Sequence, residues 1–309
     1  MRARVTLMLA GLTIAGAVVV AQTPRGGHLN PLIDLLAQNK PVFGLYAPAS
    51  PRGGPAKTAA ELAKDTVAYD KSDFVFSGSM EGSVDRGLPA FTEFAAALGE
   101  AGALISGPPA KLIHPMVVKT QKIAPDPVKA IDNISRQLNV GVSGIMFVGV
   151  ESADEVTKGL AAMRFASNGG TRPDEVGTAP AFWGMTAAQY KTKADLWPLN
   201  PSGELINWTI VESKEGLAHV REIAAVKGIG VLWPGAGTLR SVFSGDPDGW
   251  ENAIQQVLAA CKEFKVPCGY PANAGDIEMR MKQGFSVFVM QWNDAGMQAI
   301  DIGRKASGR

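Results

Sequence analysis

The segment Leu205-Ile-Asn-Trp-Thr-Ile-Val-Glu-Ser213 decides the fold. Most of its residues are β-branched, aliphatic or aromatic, which is typical of a strand that is buried on both faces. Helix-forming residues follow from Lys214, and a second apolar run, Ile229-Gly-Val-Leu-Trp233, comes next. A strand, a helix and another strand predict parallel pairing, because a parallel pair needs a helix-sized crossover. Glu212 then lies at the carboxyl end of its strand.

The same alternation runs along the rest of the chain, where helical stretches such as Lys214–Val226 separate short apolar runs. The predicted strands are Pro41–Tyr46, Ser72–Ser77, His114–Thr120, Gly144–Val150, Leu205–Glu212, Ile229–Trp233, Pro267–Tyr270 and Ser286–Gln291. These strand and helix units predict one α/β domain, a (β/α)8 TIM barrel over residues 22–309. No Gly-x-Gly-x-x-Gly fingerprint follows the first strand, which disfavours an open dinucleotide-binding sheet. The irregular segment Asn168–Pro180 is expected to cover a site or an interface.

Composition limits the partners that the protein can have. The chain has 309 residues, of which 46% are hydrophobic, and its 30 Lys and Arg nearly balance its 29 Asp and Glu. Such a chain can bury a large core. Because it has no basic excess, the charge balance argues against nucleic acid and favours a small neutral or anionic ligand.

Residues 1–21 have the pattern of a cleavable signal peptide. Met1-Arg-Ala-Arg4 precedes the apolar run Val5–Val20, and Val19-Val20-Ala21 offers small residues for cleavage. An uncleaved amino-terminal anchor is the alternative, because the run is only slightly shorter than a membrane span. We therefore expect an exported protein, periplasmic or secreted, that does not contact the membrane after cleavage.

Cys261 and Cys268 lie seven positions apart, between a predicted helix and a predicted strand. Export would allow them to form a disulfide, but the sequence does not show whether they come within bridging distance. Two buried free thiols are the preferred expectation. A structural zinc site is not expected, because the remaining candidate ligands, His28, His114 and His219, are far apart in the chain.

Parallel barrels keep their chemistry at the carboxyl ends of their strands. The polar candidates at these positions are Glu81, Lys119, Glu151, Glu212, the segment Pro234–Leu239, Asn273 and Asp294. Glu212 is the best placed to face the mouth of the barrel, although a helix-capping or ion-paired role is the alternative. Mg²⁺ and Mn²⁺ are usually held by one or two carboxylates together with water and substrate oxygens. Glu212 is therefore a candidate metal ligand.

Several passages of the chain resemble the HpcH/HpaI aldolase and citrate lyase family. Val211-Glu-Ser-Lys-Glu-Gly216 and Val220–Val231 are similar to that family's passage "IE-T-x-E-A … L-x-x-I-x-x-V-x-G-V-D". The likeness continues in Asp73–Gly82, Gly144–Met163, Ala259–Lys262, Val266–Gly269 and Lys282–Phe285. The resemblance spans nearly the whole chain after residue 21, and its specificity comes from the succession of passages.

The resemblance implies a (β/α)8 barrel that is often a homo-oligomer in which subunits exchange the last helix. It also implies an aldolase that binds a 2-oxo acid, usually pyruvate, with a divalent metal such as Mg²⁺, Mn²⁺ or Co²⁺. In such aldolases the metal is a Lewis acid that offsets the negative charge developing on the enolate oxygen.

The match between the family's site residues and this chain is partial. The family's first metal-ligand glutamate matches Glu212, whereas its second ligand, an aspartate, falls at Thr238 or Gly237. A threonine hydroxyl is a weak neutral ligand, so metal affinity should be lower. The family's substrate-binding arginine matches Lys119, which keeps the charge but loses the planar fork that grips a carboxylate. Gly235, Ala236, Gly237 and Thr238 are the remaining substrate-binding candidates.

The family's acid/base pair is missing from this chain. Its histidine falls within Met80–Gly82, where there is no histidine, and its aspartate partner matches Asn139. Glu81 is the replacement base that we predict, since a carboxylate can act as a general base; a solvated loop glutamate is the alternative. Lys119 binds the anionic substrate in this hypothesis, and a Schiff base on Lys119 is a variant that needs no metal.

The sequence therefore predicts an aldehyde-lyase of the aldolase type that cleaves a 4-hydroxy-2-oxo acid into pyruvate and an aldehyde. The alternative is a catalytically altered exported barrel that binds an organic acid, an aromatic ring or a sugar. In that case Trp233 and Trp292, which end predicted strands, could stack on the ligand, unless they only pack in the core. Thioester hydrolysis is a third possibility, although the chain has no Gly-x-Ser-x-Gly motif.

Overall fold

The computed structural model describes residues 27–50, 54–107 and 110–309. The predicted signal peptide, residues 1–21, lies outside the described residues. No helix in the described part of the chain is long and apolar enough to cross a membrane.

Eight parallel strands form a curled sheet that positions the site. They are Val42–Tyr46 (β1), Phe74–Ser77 (β2), Met116–Lys119 (β3), Gly144–Phe147 (β4), Leu205–Val211 (β5), Ile229–Pro234 (β6), Gly269–Tyr270 (β7) and Val287–Met290 (β8). Each strand from β1 to β5 pairs with the next one in the chain, and β8 joins β7 to β1. The short strand Leu196–Trp197 adds to β5, and a separate hairpin pairs Leu104–Ile105 with Lys111–Leu112.

The two ends of the curled sheet meet at β6 and β7. No continuous ladder joins these strands within the described residues; a single parallel bridge links Leu232 to Cys268. The Leu232 N–H also donates to the Pro267 carbonyl at 2.9 Å. The predicted α/β sheet of eight parallel strands is therefore confirmed, whereas the structure has a curled sheet and not a fully hydrogen-bonded closed barrel.

Helices follow most strands, as the alternation predicted. They are Pro31–Ala37 (α1), Ala59–Ala68 (α2), Val84–Glu100 (α3), Pro127–Leu138 (α4), Ala153–Met163 (α5), Ala179–Phe182 (α6), Ala187–Lys193 (α7), Lys214–Ala218 (α8), Val220–Ala224 (α9), Ala236–Val242 (α10), Pro247–Phe264 (α11), Ile277–Gln283 (α12) and Asp294–Ala306 (α13). The predicted helix Lys214–Val226 is two helices that break at His219. The segment Pro234–Leu239 was expected to be a loop, but most of it opens α10, whose Leu239 is fully buried.

The inner and outer faces of the sheet each bury an apolar cluster. Alternate strand residues such as Phe76, Trp208 and Trp233 fill the inside, where Leu32 and Ile33 of α1 close the amino ends of the strands. A larger cluster lies between the sheet and the outer helices. Alternation along β1 to β6 therefore decides which side chains reach the carboxyl ends of the strands on the inside.

A disulfide joins Cys261 of α11 to Cys268, which immediately precedes β7, and their Cα atoms are 5.7 Å apart. The expectation of two buried free thiols was therefore wrong. The α-helix continues to Phe264, and the chain then turns back so that Val266 donates its N–H to the Cys261 carbonyl. This turn, which the sequence pattern did not reveal, brings the two sulfur atoms together.

The irregular segment after α5 was expected to cover a site or an interface. In the structure its Arg172 is buried and donates to Asn139 Oδ1 and to the Tyr190 hydroxyl, at 2.9 and 3.1 Å. Asn139 ends α4 and precedes β4, so it lies near the amino ends of the strands. The segment therefore packs near the amino end of β4, at the opposite end of the strand from the candidate site. Asn139 lies there too, so it does not take the place of an active-site aspartate.

Candidate active site

A cavity of about 190 Å³ opens where the strands end. Its walls combine polar candidates with aromatic and aliphatic side chains: Tyr46, Phe76, Lys119, Met146, Ile210, Glu212, Trp233, Gly235, Ala236, Gly237, Thr238, Pro271 and Val289. Six of these thirteen residues were predicted as site residues: Lys119, Glu212 and the four residues Gly235–Thr238. The structure therefore brings the main sequence candidates together in one cavity.

Glu212 follows β5 directly and continues its inward-facing series after Trp208 and Ile210. Its Oε1 accepts the backbone N–H of Gly149 at 2.8 Å. That bond fixes the carboxylate at the exits of β4 and β5, and it leaves Oε2 as the oxygen that a ligand could meet.

Two glycines lie next to Glu212, and one of them makes room for its side chain. Gly235 follows β6, and a Cβ atom there would overlap the Cβ of Glu212 and lie 2.7 Å from its Oε2. Gly149 has φ +58°, in the left-handed region that favours glycine, and a Cβ there would lie 3.0 Å from Lys122 Nζ. The absence of a side chain at Gly235 therefore leaves room for Glu212, whose carboxylate accepts the Gly149 N–H.

Lys119 ends β3 and reaches the same cavity. Its Nζ lies 2.9 Å from Glu81 Oε2, in an ion pair whose side chains are 18% and 41% exposed. Because this pair is partly solvated, it contributes little to stability. It does place one ammonium and one carboxylate side by side at the rim of the cavity. Glu81 belongs to the turn after β2 and does not itself line the cavity.

Tyr46 is a site residue that the sequence reasoning missed. It ends β1 on the inward face and lines the cavity. Burial raises the pKa of Tyr46; the charge of Lys119 opposes that rise and the charge of Glu81 adds to it. The phenol therefore remains a hydrogen-bond donor at neutral pH, close to the Lys119–Glu81 pair. Tyr46 ends a predicted strand, and this position could have identified it as a candidate from the sequence.

The floor of the cavity is aromatic. Trp208 stacks on Trp233 with ring centroids 5.6 Å apart, and Phe76 stacks on the other side of Trp208 at 6.1 Å. Trp233 lines the cavity. Trp292 does not line it, because its ring packs edge-on against Tyr69, 6.2 Å away. Such a floor excludes water and strengthens the electrostatic interactions above it.

Three further candidates do not reach the cavity. The Glu151 backbone instead donates to Glu155 Oε2 at 3.0 Å, and its carbonyl lies 3.1 Å from His219 Nδ1. Asn273 caps a turn by accepting the Gly275 N–H at 2.7 Å, and Asp294 begins α13. Met80, near the position of the family's histidine, is fully buried in the outer core. Glu151 therefore gives Glu212 no help in binding a metal.

The cavity offers few oxygen ligands to a divalent cation. Within residues 27–50, 54–107 and 110–309, no group of three His, Cys, Asp or Glu side chains could hold a metal ion. The cavity offers the Glu212 carboxylate and the Thr238 hydroxyl, and the Lys119 ammonium lies in the same wall. These residues do not fit a tightly held resident cation, which needs more oxygen ligands than one carboxylate and one hydroxyl.

The chain has a curated relative of known activity, at low sequence identity. No protein-family model matches the chain. A curated relative, the hydroxypyruvate/pyruvate aldolase of Paraburkholderia phytofirmans (strain DSM 17436 / LMG 22146 / PsJN), is 25% identical over 169 residues. That match covers 55% of this chain and 60% of the relative, so it spans less than two thirds of the length of the relative.

Solved structures match over most of the chain. An HpcH/HpaI aldolase/citrate lyase family protein from Burkholderia cenocepacia J2315 has a TM-score of 0.65 at 21% identity, over 90% of this chain and 97% of that one. An HpcH/HpaI aldolase from Desulfitobacterium hafniense DCB-2 has a TM-score of 0.63 at 15% identity, over 88% and 93%. The chain thus shares its fold with the HpcH/HpaI aldolase/citrate lyase family, which confirms the resemblance that its sequence passages predicted.

Proposed function

We propose that this protein is a carbon–carbon lyase of the aldolase type that cleaves a 4-hydroxy-2-oxo acid into pyruvate and an aldehyde. The observation that carries the proposal is the single cavity in which Lys119, Glu212 and Gly235–Thr238 meet at the strand exits. The fold shared with HpcH/HpaI aldolases and the curated pyruvate aldolase relative support the reaction class.

The cleavage needs one base and one group that stabilises negative charge. Removing the proton of the 4-hydroxyl lets the C3–C4 bond break, and the electron pair moves into an enolate whose charge lies on the C2 oxygen. The aldehyde leaves, and protonation of C3 then gives pyruvate. A cation preorganised near the C2 oxygen lowers the barrier, because the charge there is greater in the transition state than in the substrate.

Lys119 and Glu81 can perform these two tasks as a pair. The Lys119 ammonium, in the cavity wall, binds the carboxylate and C2 oxygen of the substrate, and Glu81, 2.9 Å from it, accepts the proton of the 4-hydroxyl. A Schiff base would require the Lys119 amine to leave its carboxylate partner, so the ion pair favours the electrostatic role. Glu212 presents Oε2 to a hydroxyl of the substrate or to a weakly held cation.

The metal concentration needed for activity should be higher for this site than for a site with two acidic ligands. With one carboxylate and one hydroxyl on the protein, we expect any stimulation by Mg²⁺, Mn²⁺ or Co²⁺ to need roughly millimolar metal. A relative with two acidic ligands should need far less.

The test is the release of pyruvate from 4-hydroxy-2-oxo acids, measured with each metal and with chelator. We expect kcat/KM to fall roughly 100- to 1,000-fold in Lys119→Gln, the loss typical of removing a group that stabilises developing negative charge. It should also fall in Glu212→Gln, which loses the carboxylate that meets a substrate hydroxyl or a weakly held cation. Lys191→Gln is the matched control, because Lys191 pairs with Asp174 outside the cavity. Turnover that is indifferent to both site substitutions would contradict the proposal.

A binding protein is the second candidate, and the aromatic floor of Trp233, Trp208 and Phe76 favours it. Such a protein would bind pyruvate or a related acid without turnover of any 4-hydroxy-2-oxo acid. Calorimetry with pyruvate, in parallel with the assay, distinguishes the two candidates.

We also propose that the protein is exported after cleavage near Ala21 and that it forms a homo-oligomer. The disulfide supports export, because such bonds persist in oxidising compartments. The resemblance to a family of oligomeric barrels supports self-association, which sedimentation analysis would test.

A further inference from the structure

A second and larger cavity, of about 650 Å³, lies at the opposite end of the sheet from the candidate active site. Its walls are the end of α1, the segments that lead into β6, β7 and β8, and the last turn of α11. The volume is within the range of small-molecule binding sites. Nothing in the proposed reaction uses this cavity.

The charge of this cavity is of one sign. Four lysines line it, Lys40, Lys227, Lys262 and Lys265, and no aspartate or glutamate does. None of the four has an ion pair or a side-chain hydrogen bond within the described residues, and the segments outside them, 1–26, 51–53 and 108–109, contain no acidic residue. Lysines near helix ends are common, but four that surround one cavity without a carboxylate form an anion-attracting rim.

The backbone places two of the lining residues in an unusual conformation. In the described part of the chain, Asn39 and Lys265 are the non-glycine residues with positive φ, at 54° and 56°, and both line this cavity. Lys265 follows the end of α11, a position where glycine is the usual residue because a side chain is strained there. The Lys265 side chain is therefore carried on a strained backbone at the edge of this cavity.

The inner wall of the cavity is apolar and rigid. Leu36, Ile229 and the half-buried side chains of Trp197 and Phe264 form it. The disulfide between Cys261 and Cys268 also lines the cavity, so α11 and the start of β7 are covalently held on one side of it. A ligand that enters meets an apolar wall and a ring of ammonium groups at its rim.

We propose that this cavity binds an amphipathic organic anion, which has one carboxylate or phosphate head on an apolar chain or ring. The apolar body would pack against Trp197 and Phe264, and the head would lie between Lys262 and Lys265. A free inorganic anion would use the rim alone and a neutral apolar molecule the wall alone, so each should bind more weakly than the amphipath.

The experiment titrates the purified protein with decanoate, 1-decanol and inorganic phosphate by calorimetry. We expect saturable binding of decanoate that is at least tenfold tighter than that of either comparison compound. Lys265→Gly combined with Lys262→Gln should weaken decanoate binding at least tenfold. Lys265→Gly suits the positive φ, so the double variant should fold, which its unfolding curve verifies. Lys282→Gln is the matched control. Lys282 is exposed and lies two residues before Gly284, which lines the cavity, but Lys282 itself does not line it.

Four outcomes would overturn the proposal. Decanoate could fail to bind saturably, or it could bind the folded double variant as well as it binds the wild type. Lys119→Gln could abolish binding, which would place decanoate in the cavity at the strand exits. If the protein cosedimented with phosphatidylglycerol vesicles but did not bind decanoate saturably, the lysines would bind a membrane surface and not a small ligand.

Discussion

Tyr46, Lys119 and Glu212 are brought together by the alternation of side chains along three strands. Each continues the inward-facing series of its own strand, after Gly44, Val117 and Ile210 respectively. A shift of one residue would turn any of these side chains outward. The chemistry of the cavity therefore depends on register as much as on residue type.

The sequence could predict Lys119 and Glu212 because a charged residue at the end of an apolar run is conspicuous. It did not reveal Tyr46, since a tyrosine that ends a strand is equally typical of ordinary sheet packing. Nor did it show that Glu81 would reach Lys119, because that contact is made across two strands by a turn whose conformation depends on the whole sheet.

Tyr46→Phe tests whether the phenol takes part in the reaction. We expect kcat/KM to fall roughly 10- to 100-fold, because a positioned proton donor is lost, while the ring still packs against Phe76 at 5.0 Å. Since burial raises the pKa of Tyr46, wild-type kcat/KM should show no loss from this group up to about pH 10. The measurement is kcat/KM against pH for both proteins.

Tyr69→Phe is the matched control for Tyr46→Phe. Tyr69 is also partly buried, with a pKa raised to about 12 chiefly by burial, but its hydroxyl donates to the Met297 carbonyl outside the cavity. Its kcat/KM should equal that of the wild type. Equal activity in Tyr46→Phe would show that the phenol has no role in the reaction.

At the scale of elements, the loop from β6 into α10 determines the room around Glu212. The sequence marked Pro234–Leu239 as a glycine-containing loop, and the structure shows that α10 begins inside it at Ala236. The sequence did not predict this helix, because the segment contains glycine, which is a poor helix former. The burial of Leu239 in the core offsets that low helix propensity. By contrast, helix α4 has a clear amino-terminal signal, because Asp126 caps it and a proline stands at its first position.

Gly235→Ala should disturb the site through its added methyl group. Gly235 has φ −71°, which alanine accepts, so the effect comes from the overlap with the Glu212 side chain. Overpacking of this kind typically costs about 1–3 kcal/mol of unfolding free energy. We expect that loss, together with a larger fractional loss of kcat/KM, because Glu212 must move from its hydrogen bond with Gly149. Denaturant unfolding and the pyruvate assay measure the two effects.

Gly237→Ala is a control two residues away in the same segment. A Cβ atom at Gly237 would meet nothing within 4 Å, and the residue is inside α10. The substitution should stabilise the helix by about 0.5–1 kcal/mol, because it leaves Glu212 and its hydrogen bond to Gly149 in place. If Gly235→Ala behaved in the same way, the glycine would not be required for the placement of Glu212.

At the scale of the whole molecule, the weakest junction of the sheet lies between β6 and β7. The other neighbouring strands share ladders of two or more residue pairs, but here a single bridge joins Leu232 to Cys268. The disulfide begins at the same Cys268 and ties it to α11. Sequence alternation predicts how many strands there are, but it cannot predict where the ring of strands is incomplete, because that depends on the register of the last pair.

The disulfide should therefore stabilise the region where the sheet ends meet. Closing a loop of this length in the unfolded chain corresponds to about 2.5 kcal/mol of unfolding free energy. We expect dithiothreitol to lower the unfolding free energy of the wild type by roughly that amount, measured by denaturant titration. Protein recovered from its natural compartment should begin near Gln22 and contain no free thiol, as the proposed export requires.

The double variant Cys261→Ser, Cys268→Ser separates the bond from other effects of the reductant. It should already be less stable by a similar amount and should not respond to dithiothreitol, because both cysteines of the chain are removed. Two reactive thiols in the protein as it is recovered, with residues 1–21 still present, would contradict both export and the bond. Free thiols together with a processed amino terminus would contradict only the bond, because cleavage reports export independently of oxidation. The junction of β6 and β7 would then depend on the Leu232 bridge and packing alone.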